Sequence, residues 1–279
     1  MGITTFDIQE DFFSSSQTAT GKLSILIGMD SFCYCIADRS HRIAFLRRIQ
    51  SEGSVLDLES VSRDNPYLFF PFAQTSALLA VPKHVWVPGR LFNSAEKTAY
   101  VKHGNDLIPG TPVFAEEVSE QDAHLVYPVP IGVAAWLDRH FPHASRRHFS
   151  SALIRALSPS VGKVEGPHVL AHFAEKALWV TFWDGERLQF GNSFVCKDLK
   201  DYLYFLLLVV HQFGLSQEDI PVYLSGGLSS QSELYVLLRN YFGRLAFTEV
   251  GGPWQLGPRL AEYPRHYYND LLAGLMPER

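Results

Sequence analysis

Cysteine is scarce in this 279-residue chain, with Cys33, Cys35 and Cys196 the only three. An odd number with no zinc-like pairing supports neither a disulfide framework nor a structural metal site. Cys33 and Cys35, two apart, read as lining one face of a strand. Long hydrophobic runs are lacking as well. The longest, Tyr202 to Val210, falls far short of the roughly 20 residues that a bilayer span needs, so no membrane span is expected and the run reads as a buried helix. The N-terminus carries Asp7, Glu10 and Asp11 where a secretory leader would carry a basic patch, and no apolar core follows. A cytoplasmic location is the expectation. Positive charge is also short: 24 Lys and Arg against 29 Asp and Glu leave a net charge of −5. The basic residues are scattered apart from pairs such as Arg47-Arg48 and Arg146-Arg147, so nucleic acid is not expected as a partner. Walker, nucleophile-elbow and dinucleotide glycine motifs are missing. A two-metal nuclease would need carboxylates at strand positions that here hold Ile25, Ile27, Val169 and Ala171.

The chain has 47% hydrophobic and 13% aromatic residues, ample apolar surface to offset chain entropy, and a length that fits two lobes of common domain size. The second half is the more legible. Val169 to Ala174, Ala177 to Trp183 and Arg187 to Phe194 are short runs rich in Val, Phe, Trp and Leu, with Asp184-Gly185 between the last two. They predict a three-stranded antiparallel meander. Asp198 then opens a helical pattern (Leu199, Tyr202, Leu203, Leu206, Val210, Phe213) that Gly214 closes. Apolar residues nearly all round imply that this helix is buried. A strand over Ile220 to Leu224 runs into Ser225-Gly226-Gly227. Ser230 and Glu233 read as a capping box for a helix carrying Leu234, Leu237, Leu238 and Tyr241, and a last strand spans Leu245 to Val250. The order βββαβαβ is that of a ribonuclease-H-like half of an actin-type lobe.

The first half opens the same way, with strands over Leu23 to Gly28, Ser31 to Asp38 and Arg42 to Arg48. Asp38 precedes its turn as Asp184 does, an offset of 146 residues that also pairs Leu23 with Val169, Phe32 with Leu178 and Ile36 with Phe182. An internal duplication is the natural reading. Between the meanders the patterns predict a strand over Ala77 to Val81, a helix from Pro88 to His103 and a strand over His124 to Val129. Helices follow over Gly132 to His140 and Phe149 to Leu157. The fold class expected is therefore α/β, a duplicated ribonuclease-H-like actin-type fold with two mixed five-stranded sheets flanked by helices. The lobes are drawn at residues 20–160 and 167–276, with a hinge over Pro159 to Pro167.

Several segments carry a resemblance. LSILIGMDSFCYCIAD, KHVWVPGRLFN, RLQFGNSFVCKDLKDYLYFLLLVVHQFGL, PVYLSGGLSSQSELYVLLRNYF and YPRHYYNDLLAGL resemble an uncharacterised family, mainly from Bacteroidetes, with an actin-like fold. The resemblance covers most of residues 20 to 275 and implies the fold but no activity. More remotely, the layout is similar to actin-like proteins of type IV pilus and type II secretion assembly, some of which bind ATP.

In an active member of that superfamily, two hairpins wrap the phosphates and an acidic residue holds Mg²⁺ through water. The first-half stretch is Ile27-Gly28-Met29-Asp30-Ser31-Phe32, where Asp30 and Ser31 are of the right kind but stand two residues late, with Met29 in the turn. The second is Phe173-Ala174-Glu175-Lys176-Ala177, which has no Asp-x-Gly. Both depart from a pattern on which phosphoryl transfer depends for positioning. Ser225-Gly226-Gly227, at a strand end before a helix, resembles the adenosine motif. A tight turn that needs glycine for its dihedrals accounts for it equally well. Asp30 and Glu175 likewise read as turn residues. His140, His143 and His148 have metal-like spacing, but with no carboxylate or cysteine beside them and Pro142 between them they read as a surface loop.

Two functions stay open. One is a non-catalytic protein-binding or scaffold module, in which Trp86, Trp136, Trp179, Trp183 and Trp254 would mark contact patches. The other is a divergent ATP-binding protein or ATPase switch, taking ATP and Mg²⁺ at Asp30, Ser31, Glu175, Ser225, Gly226 and Gly227. An exposed apolar patch favours the first, and a nucleotide-sized site lined by those residues the second.

Overall fold

The computed structural model describes residues 2–28, 30–51, 56–102, 107–161 and 164–277. From the N-terminus, β1 (Gly2–Gln9), β2 (Lys22–Ile27), β3 (Ser31–Ala37) and β4 (Arg42–Ser51) precede helix α1 (Leu58–Asp64). Asp57 caps α1, its carboxylate accepting from the Glu59 and Ser60 amides at 3.0 and 3.3 Å. β5 (Gln74–Leu79), β6 (Val85–Pro88), α2 (Lys97–Lys102), β7 (Val113–Val118) and β8 (Ala123–Pro128) follow. Then come α3 (Ile131–His140), β9 (Ser145–His148) and α4 (Phe149–Val161).

The helix expected over Pro88 to His103 is for the most part not one. Val85 to Pro88 pair with β8, two short 3₁₀ turns at Gly89–Leu91 and Ser94–Glu96 follow, and only Lys97–Lys102 is α-helical. His103 lies outside the described residues. Asn93 explains the interruption, since its side chain accepts from the Ala95 amide at 3.0 Å and starts a new turn. β6, β8 and β7 form a small antiparallel sheet of their own.

The second half runs β10 (Pro167–Ala174), β11 (Ala177–Asp184), β12 (Arg187–Val195), α5 (Leu199–Gln212), β13 (Pro221–Gly226), α6 (Glu233–Arg239) and β14 (Arg244–Phe247). The meander is as read from the residues, with Gly185 at φ +56° between β11 and β12. Asp198 caps α5 by accepting from the Lys200 and Asp201 amides, and Gly214 at φ +64° follows it. α6 departs from the expected Ser230–Glu233 box. Its cap is Ser232, which accepts from the Tyr235 amide while its hydroxyl donates to the Ser229 carbonyl, because the turn after Gly227 runs through residue 232 before the helix begins. A short strand, β15 (Gln255–Leu256), and helix α7 (Asn269–Leu275) end the fold.

The chain divides into two compact units: residues 1–152, 252–263 and 270–279, and residues 153–251 and 264–269. The first holds a seven-stranded sheet in the order β1-β4-β3-β2-β5-β9, with β15 beside β4; the second holds the five-stranded order β12-β11-β10-β13-β14. The cores of these two orders correspond strand for strand, and so does the register. Leu23 pairs with Ile36 and Ile27 with Phe32; at the 146-residue offset, Val169 pairs with Phe182 and Phe173 with Leu178.

The units are not the contiguous halves drawn from the sequence, because the C-terminal segment returns to the first. One face of that sheet presents Leu23, Ile25, Phe32, Tyr34 and Phe45 to a core shared with α1 and α3. The other presents small and polar residues, among them Ser24, Cys33 and Cys35, and α7 lies on it. Ser24 donates to the Leu271 carbonyl at 2.9 Å, and a Cβ at Gly274 would overlap Ser24 Oγ. Arg48 grips Asp270 with two bonds, at 2.8 and 3.2 Å. Cys33 and Cys35 are buried here, and burial pushes the Cys33 thiol up to about 12. No described helix is long and apolar enough to cross a membrane. The expected hinge is partly helix, since α4 continues to Val161, and Gly162 lies outside the described residues.

Candidate functional site

In the first unit the turn between β2 and β3 is closed by the Gly28 amide on the Ser31 carbonyl at 2.8 Å, and the Asp30 carbonyl accepts from the Ser51 amide at 2.7 Å. A side chain at Gly28 would collide with Ser31 Oγ. Asp30 and Ser31 are half-buried, and Met29 lies outside the described residues.

The equivalent turn of the second unit carries Glu175 and Lys176, both exposed. Its carbonyls are held from below. The Tyr202 hydroxyl of α5 reaches the oxygens of Ala174 and Glu175, and the Cys196 amide donates to Lys176. Beside this turn stands the end of β13, whose Gly226 pairs with Phe173. The second unit thus brings Glu175, Ser225, Gly226 and Gly227 to one end of its sheet. Asp30 and Ser31 belong to the first unit.

Ser225-Gly226-Gly227 is tied into the fold by its own bonds. Gly226 sits at φ +90°, and a Cβ there would overlap the Phe173 carbonyl oxygen, which also accepts from the Gly227 amide at 2.8 Å. The Ser225 hydroxyl is fully buried, accepting from Asn269 Nδ2 at 2.8 Å and bonded to His172 Nδ1 at 2.9 Å. Asn269 also donates to the Thr248 carbonyl and accepts from the Val250 amide. His266 braces the following loop, with Nε2 at 2.8 Å from the Leu228 carbonyl oxygen and its ring stacked on Phe247, and burial lowers its pKa. None of His172, Thr248, Asn269 or His266 stood out in the sequence. Their only signal is a polar residue inside an apolar strand or at the start of a C-terminal helix.

The three spaced histidines do not converge. His143 is exposed, His140 lies 3.7 Å from Glu59, and His148, expected on a surface loop, is fully buried with Nε2 at 2.8 Å from the Val81 carbonyl oxygen. Among the described residues no group of three His, Cys, Asp or Glu is placed to hold a metal.

The tryptophans mark no contact patch: Trp136, Trp179, Trp183 and Trp254 are buried and Trp86 is half-buried. Helix α5, expected to be buried all round, instead leaves Tyr204 59% and Leu208 41% exposed, because only one face meets the sheet. Phe205 between them stacks on Phe194 of β12 at 4.5 Å and lies 5.2 Å from Tyr204, and Val195 at the end of β12 is 47% exposed. Val195 faces the other side of the sheet, so the apolar patch on the α5 side consists of Tyr204, Leu208 and the half-buried Phe205 and Phe194.

The model of a family described as a protein of unknown function (DUF3822) matches residues 9–245. No curated protein matches the chain. Among solved structures, a Bacteroides thetaiotaomicron protein described as having an actin-like ATPase fold and unknown function is similar at 18% identity. Its TM-score is 0.75, with 96% of this chain and 100% of that one covered. A chain of the PilM-PilN type IV pilus biogenesis complex is similar at 12% identity and TM-score 0.59, covering 94% and 100%. The cytoplasmic domain of EpsL, an inner membrane component of the Vibrio cholerae type II secretion system, gives 10% identity and TM-score 0.47, covering 93% and 97%. The fold is the actin-like ATPase fold.

Proposed function

The chain belongs to this family of unknown function, and from that premise we propose that it is a non-catalytic protein-binding module built on an actin-like frame. The observation that carries the reading is the exposed pair Tyr204 and Leu208 on α5, flanked by the stacked and half-buried Phe194 and Phe205. Exposed apolar surface of this kind costs free energy in water and is characteristic of contact sites. Two facts support it. The Ser225 hydroxyl and the Gly227 amide are engaged in internal bonds at the place where a nucleotide motif would offer donors. And a chain of this fold occurs in the PilM-PilN complex, joined to another protein. The competing reading is a switch that binds ATP and Mg²⁺ at Asp30, Ser31, Glu175, Ser225, Gly226 and Gly227.

The thermal midpoint with and without millimolar Mg-ATP separates the two. A ligand at 100 times its dissociation constant adds about 2.7 kcal/mol, which is about 5–10 °C for a chain of this size. The module reading expects the midpoint to stay put. A saturable rise of that size overturns it. In parallel, the immobilised wild-type chain is expected to retain a partner that Leu208→Glu loses.

A further inference from the structure

We infer that the first unit binds an uncharged aromatic heterocycle in a cavity at the amino ends of β5 and β9. The two strands pair only from Ser76 and Ser145 onward. Before that point the chain approaches β5 from a 3₁₀ turn over Pro66–Phe69, and it enters β9 from a turn closed by the Ala144 amide on the Phe141 carbonyl at 3.1 Å. The two approaches stand apart and leave a cavity of about 410 Å³, walled by Leu68 to Thr75 on one side and His140 to Ser145 on the other. That size suits a small molecule. Gln74 pairs with Lys22 and Leu79 with Ile27, so the cavity and the Gly28–Ser31 turn lie at opposite ends of the sheet, about 17 Å apart. The cavity shares no residue with the ATP reading or with the α5 patch.

The lining sets the chemistry. Phe69, Phe70, Phe72 and Phe141 supply rings, with Leu68 and Pro142 beside them. Phe69 is 42% exposed although it stacks on Phe141 at 5.8 Å and stands 5.3 Å from His140. A flat aromatic ligand adds a further ring in the offset or edge-to-face geometry that such rings prefer, and takes the exposed Phe69 out of water. The polar share of the lining includes Gln74, Thr75, His140 and His143. Ala77 and Leu79 turn into the core on the α1 and α3 face, so by alternation the Thr75 side chain points to the same side. Among the described residues the side chains of Gln74, Thr75 and His143 make no hydrogen bond, and His140 Nε2 is buried without one, with Glu59 at 3.7 Å. A heterocycle meets such groups through its ring nitrogen or N–H, which a plain hydrocarbon lacks. Among the described residues no Asp, Glu, Lys or Arg lines the cavity. The charges close by are matched already, Glu59 with Arg139 at 2.9 Å and Asp138 with Arg146 at 2.6 Å. A ligand with a net charge would be buried without a partner, at a cost that a neutral one avoids.

Calorimetric titration of the full chain with quinoline, a neutral aromatic heterocycle, tests this beside two charged relatives, quinoline-2-carboxylate and N-methylquinolinium. Quinoline is expected to saturate one site with a dissociation constant of about 1 mM or below. Both charged probes are expected to bind about tenfold more weakly or worse. Ala73→Trp fills the cavity, since Ala73 lines it with an exposed side chain while its amide is held by the Gly21 carbonyl, and it is expected to abolish binding. Phe69→Ala removes a ring contact and Thr75→Val a hydrogen bond, and each is expected to weaken binding about fivefold. Unchanged circular dichroism verifies that the variants fold. Leu208→Glu, in the other unit, is expected to bind quinoline as the wild type does. No saturable binding up to about 10 mM quinoline overturns the inference, as does binding that Ala73→Trp leaves intact. Tighter binding of either charged probe overturns the uncharged class of ligand.

Discussion

The buried polar network around Ser225 makes a quantitative demand. Asn269 is fully buried and makes three hydrogen bonds, donating to Ser225 Oγ and the Thr248 carbonyl and accepting from the Val250 amide. Asn269→Ala breaks all three and leaves the Val250 N–H and the Thr248 carbonyl unpaired. A buried group left unsatisfied costs about 1–3 kcal/mol, so the expected loss is about 3–5 kcal/mol. At about 2–4 °C per kcal/mol for a chain of this size the thermal midpoint falls by about 6–20 °C. Ser225→Ala removes one oxygen but leaves Asn269 its other two bonds, and is expected to cost about 1–2 kcal/mol. The double variant should cost less than the sum of the singles by about 1 kcal/mol, since the two changes delete a shared bond. Unfolding followed by tryptophan emission suits the measurement, because Trp179 stands edge-on to His172 at 6.2 Å. If Asn269→Ala costs under about 1 kcal/mol, or the two changes add without coupling, Ser225 is not held by this network. The structural account of the Ser225-Gly226-Gly227 motif would then fall with it.

Acid sensitivity is expected from His148 and His84, whose rings lie 4.6 Å apart. His148 accepts the Ser150 amide at Nδ1 and uses Nε2 on the Val81 carbonyl, an arrangement complete for the neutral ring, and burial drives its pKa well down; burial also lowers His84 to about 4. The unfolded chain binds these protons first, so the stabilisation is fully present above pH 6.5 and is lost as pH falls through about 4. For His84 the loss is on the order of 3 kcal/mol; urea midpoints measured against pH should show it, and His84→Phe should flatten the curve. Gly226→Ala is expected to destabilise the chain by about 3 kcal/mol or more or to abolish soluble expression, combining a positive φ with overlap on the Phe173 carbonyl. Expression yield and midpoint check it, and a stable Ala variant would show that the turn has room to spare.

Much of the fold was legible in the residues. The β10–β12 meander, the Asp198 cap and Gly214 all follow from chemistry within a few positions: alternating apolar residues, a carboxylate that reaches its own helix amides, and a glycine that takes a positive φ. The matching turns of the two halves were visible for the same reason. Strands β1, β7 and β9 were not, because Gly2–Gln9 mixes polar and apolar residues without strict alternation and Ser145–His148 holds two arginines. Their strand state comes from partners elsewhere in the chain. Ser232 displaced Ser230 as the cap because the path of the loop, not the spacing of Ser and Glu, decides which hydroxyl meets the first free amide.

By itself the amino-acid sequence determined the α/β class and the repeated hairpin order, since both are written in local spacing. Tertiary structure alone decided three further things. The C-terminal helix covers the Ser24 face of the first sheet, Ser225 spends its hydroxyl on an asparagine far along the chain, and α5 keeps Tyr204 and Leu208 in solvent. The physical reason is common to all three. Hydrogen-bond partners and burial are set by which distant segments meet, and helical periodicity gives a helix its faces without saying which of them will be covered.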